Sequence, residues 1–114
     1  MDPTISPYVI SPGSSIKEAM EVITGNLTGA VVIVSDDGVL LGMLSDGDIR
    51  RGLLQSATLM TPVEKLMNTH PTVMRGDDRA SAERIFSEHE AITLLPVVDA
   101  HNRVVRIIPR HPVS

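Results

Sequence analysis

The sequence predicts an α+β fold built as two pseudo-symmetric β-α-β-β(-α) repeats packed face to face. Three observations carry that prediction. Val31–Leu54 runs as an apolar β-branched segment, an Asp-Gly turn, a second apolar segment and then helical spacing, the pattern of a hairpin followed by a helix. The same order returns further on: Ala19 and Ala82 lie 63 residues apart, and Val32 and Pro96 lie 64 apart, an internal repeat that fills the chain. At 114 residues there is room for one domain or for two halves sharing a core. Neither half alone would bury enough apolar surface. The expected division is 1–60 and 61–114.

The elements follow in order. Thr4–Ile10 is proline-flanked and expected to be extended, and Ser11-Pro12-Gly13 breaks it. Ser15 and Glu18 match a capping box, in which each side chain satisfies a backbone N–H at the other position. Ile16, Ala19, Met20 and Ile23 then fall on one helical face that ends near Gly25-Asn26. Val31–Val34 is a strand, Asp36-Asp37-Gly38 a turn, and Val39–Leu44 a strand. Ser45-Asp46-Gly47-Asp48 opens a helix that continues over Ile49–Leu54. After a connector, Thr61-Pro62-Val63-Glu64 reads as a second capping box, starting a short helix to Met67. Thr72-Val73-Met74 is extended and Arg75–Asp78 turns. Ala82, Ile85 and Phe86 share a helix face, and Leu94–Val98 and Arg103–Ile108 form the second hairpin around Ala100–Asn102. The second repeat has no counterpart to Ile49–Leu54, which predicts an apolar strand edge or face open to a partner.

Composition narrows the function. With no cysteine, disulfides, thiolate zinc sites and thiol nucleophiles are excluded. A net charge of −4 argues against broad contact with nucleic-acid phosphates, and Tyr8 and Phe86 as the only aromatics make no stacking platform. No apolar run approaches a membrane span. MDPTISPYV lacks the basic and apolar regions of a signal peptide, so a cytoplasmic protein with no membrane partner is expected. His70, His89, His101 and His111 show no metal-ligand spacing. Asp46-Gly47-Asp48 lacks a third acidic ligand at a suitable distance, and no nucleophile elbow, P-loop or dinucleotide fingerprint occurs.

A hydroxyl, a carboxylate and a guanidinium around a helix N-terminus suit a ribose-phosphate. Asp48, as an ionised acceptor, can take both hydroxyls of a cis-diol, while the Ser45 hydroxyl and the adjacent amides can hold a phosphate. The plainer alternative makes Ser45 an N-cap and Asp48 its third-position companion. Arg50 and Arg51 point about 100° apart on a helix, so at most one faces a ligand.

Gly42-Met43-Leu44-Ser45-x-x-Asp48-Ile49 after a capped helix and an Asp-Gly hairpin, with Leu95-Pro96-Val97-Val98-Asp99 in the second copy, resembles a tandem CBS-domain pair. The likeness covers roughly residues 7–108. The heptad Ser45–Arg51 is most similar to pairs attached to sugar nucleotidyltransferases or sugar-phosphate isomerases. The resemblance implies a regulatory module, not an enzyme, that needs no cofactor and binds an adenosine nucleotide of the AMP, ADP or ATP type. It makes Ser45 and Asp48 phosphate and ribose contacts. It also draws base contacts from the opposite repeat, here His70, Pro71, Thr72, Val73 and Thr93, Leu95, Pro96, with Val73 and Leu95 either covering the base or packing in the core. Implied partners are a second copy, met through the helices, and an effector domain such as a nucleotidyltransferase. A ligand-free assembly module and a fragment of a sugar-phosphate enzyme are the competing readings.

Overall fold

The computed structural model describes residues 2–76 and 78–111. Two three-stranded sheets form, each with its central strand parallel to one neighbour and antiparallel to the other. In the first, β1 (Val9–Ile10) and β3 (Leu40–Ser45) flank β2 (Ala30–Val34), and α1 (Ile16–Asn26) crosses between β1 and β2. The second sheet places β4 (Met74–Arg75) and β6 (Val104–Pro109) on either side of β5 (Leu94–Val98), with α3 (Arg79–Glu88) as the crossover. Helix α2 (Asp46–Leu54) follows β3. The pairing registers repeat at 64 residues: Ala30 faces Ser45 as Leu94 faces Pro109, and both ladders shift register at equivalent places, Ile33/Val34 and Val97/Val98.

Both central strands are buried along their whole length, and alternation divides their side chains between two cores. Val31 and Ile33 pack with Ile16, Ala19 and Ile23 of α1 and Ile49 of α2. Ala30, Val32 and Val34 meet Leu94, Val98 and Ile107 across the two sheets. Leu95 and Val97 pack with Ala82 of α3. The inter-sheet cluster joins the halves, as the repeat required. At its edge Leu40 N–H donates to the Asn102 carbonyl and Val104 N–H donates to that of Gly38, both at 2.9 Å. This symmetric exchange marks the pseudo-twofold axis.

The hairpins explain themselves chemically. Gly38 N–H donates to the Ser35 carbonyl at 2.9 Å and Gly38 takes φ +85°, closing a three-residue loop on a left-handed position. Asn102 repeats this at φ 61°, a conformation that Asn tolerates better than most side chains. The Asp99 carboxylate accepts from Arg103 N–H at 2.9 Å and His101 N–H at 2.8 Å. Those bonds, Arg103's foremost, hold its pKa below the usual carboxylate range. Asp78, the N-cap of α3, is lowered likewise, mainly by the Ser81 hydroxyl.

Several expectations need correction. Ser15 and Glu18 do form the capping box, but Met20 is 38% exposed and the partly buried Val22 packs against the core instead. Thr4–Ile10 is extended only at Val9–Ile10. Asp2 accepts from Ile5 and Ser6 N–H through its carbonyl, and Ser6–Tyr8 winds into a 3-10 turn with Pro7 preset for it. The second capping box does not form, because its side chains are taken by neighbours: Thr61 Oγ1 accepts from Thr58 N–H and Glu64 Oε1 from Gly13 N–H, each at 2.9 Å. A 3-10 turn, Val63–Lys65, stands there. Each hairpin's second strand lies one residue later than expected, and the strand expected at 72–74 is Met74–Arg75.

Gly42 has a structural task. Asn68 and Met43 exchange backbone hydrogen bonds at 2.8 and 3.0 Å, adding the connector to the edge of β3. A Cβ on Gly42 would lie 2.8 Å from the Asn68 carbonyl oxygen and 2.8 Å from Met67 Sδ. The space beside the Gly42 backbone is thus taken by the chain itself. Gly42→Val should destabilise by about 1–3 kcal/mol through overpacking, read as a lower midpoint in urea with an unchanged slope.

Candidate functional site

Strand β3 delivers Ser45 to the sheet's end, where its hydroxyl accepts from Asp48 N–H at 3.1 Å. The Asp48 carboxylate returns the bond, accepting from Ser45 N–H at 3.0 Å. The plainer reading of this pair is therefore realised: it is a capping box. It is also the floor of a cleft of about 290 Å3, bounded by Ala30, Met43, Leu44, Ser45 and Asp48 of the first repeat. Asn68, Pro71 and Thr72 of the incoming chain and Ala91, Ile92 and Thr93 of the second repeat close it. That volume sits just under the ~300–1,000 Å3 of small-molecule pockets. Capping and lining are compatible, because Asp48 Oδ2 serves the cap while Oδ1 faces outward and is paired with Arg51 Nη2 at 2.7 Å.

Ser45, Asp48, Pro71, Thr72 and Thr93 come together in this cleft, as expected from the sequence. The other candidates do not line it. Arg50 is exposed. Arg51 reaches the site only through Asp48, with a side chain 64% exposed. His70 is also exposed, its ring Nδ1 3.1 Å from the Thr69 hydroxyl. Val73 packs against the inter-sheet core. Leu95 is a correction: strand parity turns it toward Ala82 and Met74 under α3, fully buried and away from the cleft. Pro96 is likewise fully buried, paired with Ile107, and offers no N–H to a ligand.

Sequence reasoning missed Ala30, Met43, Leu44, Asn68, Ala91 and Ile92. The hairpin register would have given Ala30, which pairs with Ser45. Asn68 carried no local signal, because the Met43–Asn68 bridge spans two segments whose pairing no motif announces.

At the pseudo-symmetric position Pro109 stands for Ser45, and Pro112, the counterpart of Asp48, lies outside the described residues. Leu27 and Thr28, the counterparts of Ala91 and Ile92, border a small hollow of about 70 Å3 together with Thr93, Arg110 and His111. A third hollow, about 240 Å3, opens between α3 and β6 around Ala82, Phe86 and Ile108, rimmed by Arg79, Arg106 and Arg110. It occupies the position that α2 covers in the first repeat. Leu44 is fully buried there, whereas its counterpart Ile108 is only half-buried. No helix follows β6 among the described residues.

The polar groups of the main cleft can accept and donate hydrogen bonds beside an apolar wall. Ser45 Oγ meets a backbone amide rather than a side-chain base, so the arrangement suits binding more than turnover. Among the described residues, no group of three or more His, Cys, Asp or Glu side chains could hold a metal, and no helix is long and apolar enough to cross a membrane.

Comparison with known proteins gives a family model, CBS domain, matching residues 2–55 and 63–111. An uncharacterized Helicobacter pylori protein is 33% identical over 104 residues, 90% of this chain and 32% of its own length. Arabinose 5-phosphate isomerase GutQ from Escherichia coli is 30% identical over 95 residues, 83% of this chain and 30% of the isomerase. The chain thus spans about a third of the curated relatives it matches. Among solved structures, CBSX2 in complex with AMP superposes with TM-score 0.73 at 26% identity, covering 94% of this chain and 90% of that one. The CBS pair of protein MJ0100, in complex with 5-methylthioadenosine and S-adenosyl-L-methionine, gives TM-score 0.74 at 26% identity over 96% and 83%.

Proposed function

The chain belongs to the CBS-domain family as a tandem pair, a regulatory module rather than a catalytic one, and from that premise we propose that it binds an adenosine nucleotide in the Ser45–Asp48 cleft and signals occupancy to an effector. One observation carries the reading: a cleft of about 290 Å3 that joins a helix N-terminus, a hydroxyl and a carboxylate to an apolar wall from the opposite repeat. Amides at the N-terminus of α2 and the Ser45 hydroxyl suit a phosphate. Asp48 Oδ1 suits a ribose hydroxyl once Arg51 turns away, and the exposed guanidinium then has the phosphate as its alternative anion. Ala30, Met43 and Ile92 supply the apolar surface that a base needs. The neighbours solved with AMP and with S-adenosyl-L-methionine support the ligand class.

The division into repeats at 60/61, a cytoplasmic setting, a homodimer formed through the helices and a sugar-phosphate effector belong to the same proposal. Exposed Met20, Leu53, Leu54, Leu59 and Met60 on and beside α1 and α2 are the apolar surface a dimer would cover. The likeness to GutQ favours a sugar-phosphate isomerase as effector over a nucleotidyltransferase. Calorimetric titration with AMP, ADP, ATP and S-adenosylmethionine tests the core of the proposal. At least one is expected to bind and to raise the melting temperature, since a ligand of the folded state stabilises by about 2.7 kcal/mol at a hundredfold excess over Kd. Heatless titrations with all four, together with unshifted melting, would leave the ligand-free assembly module as the reading.

A further inference from the structure

We infer that Arg110 is a positioning residue for the nucleotide cleft, acting from behind its wall; the inference rests on the proposed binding at Ser45–Asp48. A basic residue beside the second, degenerate cleft invites assignment as a phosphate contact. Its bonds point the other way. Arg110 Nε donates to the Ile92 carbonyl at 2.8 Å, and Nη2 donates to those of Phe86 at 2.9 Å and His89 at 2.6 Å. Its guanidinium carbon lies 4.9 Å from the centre of the Phe86 ring, within cation–π range. Its own N–H donates to the Thr93 carbonyl at 2.8 Å.

These contacts gather the carbonyls at the end of α3 and in the segment that follows it. Helix C-termini leave such carbonyls unsatisfied and favour a cation. The tethered segment then runs directly into Ala91, Ile92 and Thr93, three of the residues that the second repeat contributes to the main cleft. Arg110 itself does not line that cleft. Symmetry isolates the contribution of the side chain. In the first repeat Asp46 N–H makes the equivalent backbone bond, to the Gly29 carbonyl at 2.9 Å, but a carboxylate cannot bind carbonyls. The backbone bond is common to both halves, and the guanidinium tether is confined to the half that walls the nucleotide site.

Arg110→Gln should therefore weaken AMP binding at least fivefold at a temperature where circular dichroism shows the variant folded. Amide exchange at His89–Thr93 should quicken in the free protein and slow again with saturating AMP. Arg110→Lys keeps a cation near Phe86 but loses the fork, and should also lose affinity, by at least threefold. A purely structural role would lower the melting temperature and leave Kd within twofold of wild type, which overturns the inference. Should neither variant fold, the wild type decides: the Arg110 Nε–H resonance should shift on AMP saturation, and an unmoved resonance overturns it. Wild type that binds none of AMP, ADP, ATP and S-adenosylmethionine defeats the proposed function as well, and one of the other three that binds takes the place of AMP in these tests. Wild type that binds beside unaffected variants defeats only the role of Arg110.

Discussion

Asp48→Ala should weaken nucleotide binding by tenfold or more, while Asp46→Ala should leave it within about twofold. The two carboxylates are two residues apart on α2, but the structure separates them. Asp48 lines the cleft with Oδ1 outside the cap. Asp46 is exposed, and its structural bond comes from the backbone N–H, which the substitution leaves in place. A hydrogen bond to a charged group contributes about 1.5–3 kcal/mol, and 1.4 kcal/mol is tenfold in affinity. Because Asp48 also accepts from Ser45 N–H, the alanine variant should lose about 1 kcal/mol of stability with its half of the capping box. Asp48→Asn separates the two effects. It keeps an acceptor for the cap but removes the charge, so stability should hold while affinity still falls severalfold. Calorimetry at matched fractions folded is the measurement. Equal losses in the Asp46 and Asp48 variants would mean that a specific ribose contact at Asp48 does not govern binding.

The fold was legible because its signals were local and occurred twice. The Ser15–Glu18 box, the turn at Gly38 and the apolar runs at β2 and β5 each follow from short-range chemistry. The 64-residue register then fixed which strands correspond. The site was legible only on the side that a local motif builds. Ser45 and Asp48 are neighbours in sequence and cap one helix, so their spacing exposed them. The opposite wall depends on parity and on pairing between distant segments. A one-residue choice along β5 decides whether Leu95 faces the cleft or α3, and the run Leu94–Val98, apolar on both faces, contains no alternation to make that choice. Asn68 entered the site through its bridge to Met43, and the failed capping box at Thr61–Glu64 shares that cause, since distant backbone amides and loop partners outbid a local cap.

Titration should give one nucleotide per chain, and the bound equivalent should disappear, or weaken at least tenfold, with Asp48→Ala. The pair is pseudo-symmetric, so two sites would be the expectation if the halves carried the same chemistry. They do not. Leu27 and Thr28 stand where Ala91 and Ile92 wall the first cleft. Pro109 replaces Ser45 and removes a hydroxyl and an N–H together, and Pro112 brings no acceptor in place of Asp48. The nearby cation does not compensate, because the Arg110 donors already serve the Phe86, His89 and Ile92 carbonyls. Losing one charge-assisted bond and one neutral bond removes at least about 2 kcal/mol, roughly thirtyfold in affinity. Binding at the second position should therefore be at least about thirtyfold weaker than at the first. A stoichiometry of two, or full binding in Asp48→Ala, would show that the ligand is held by chemistry other than the Ser45–Asp48 pair.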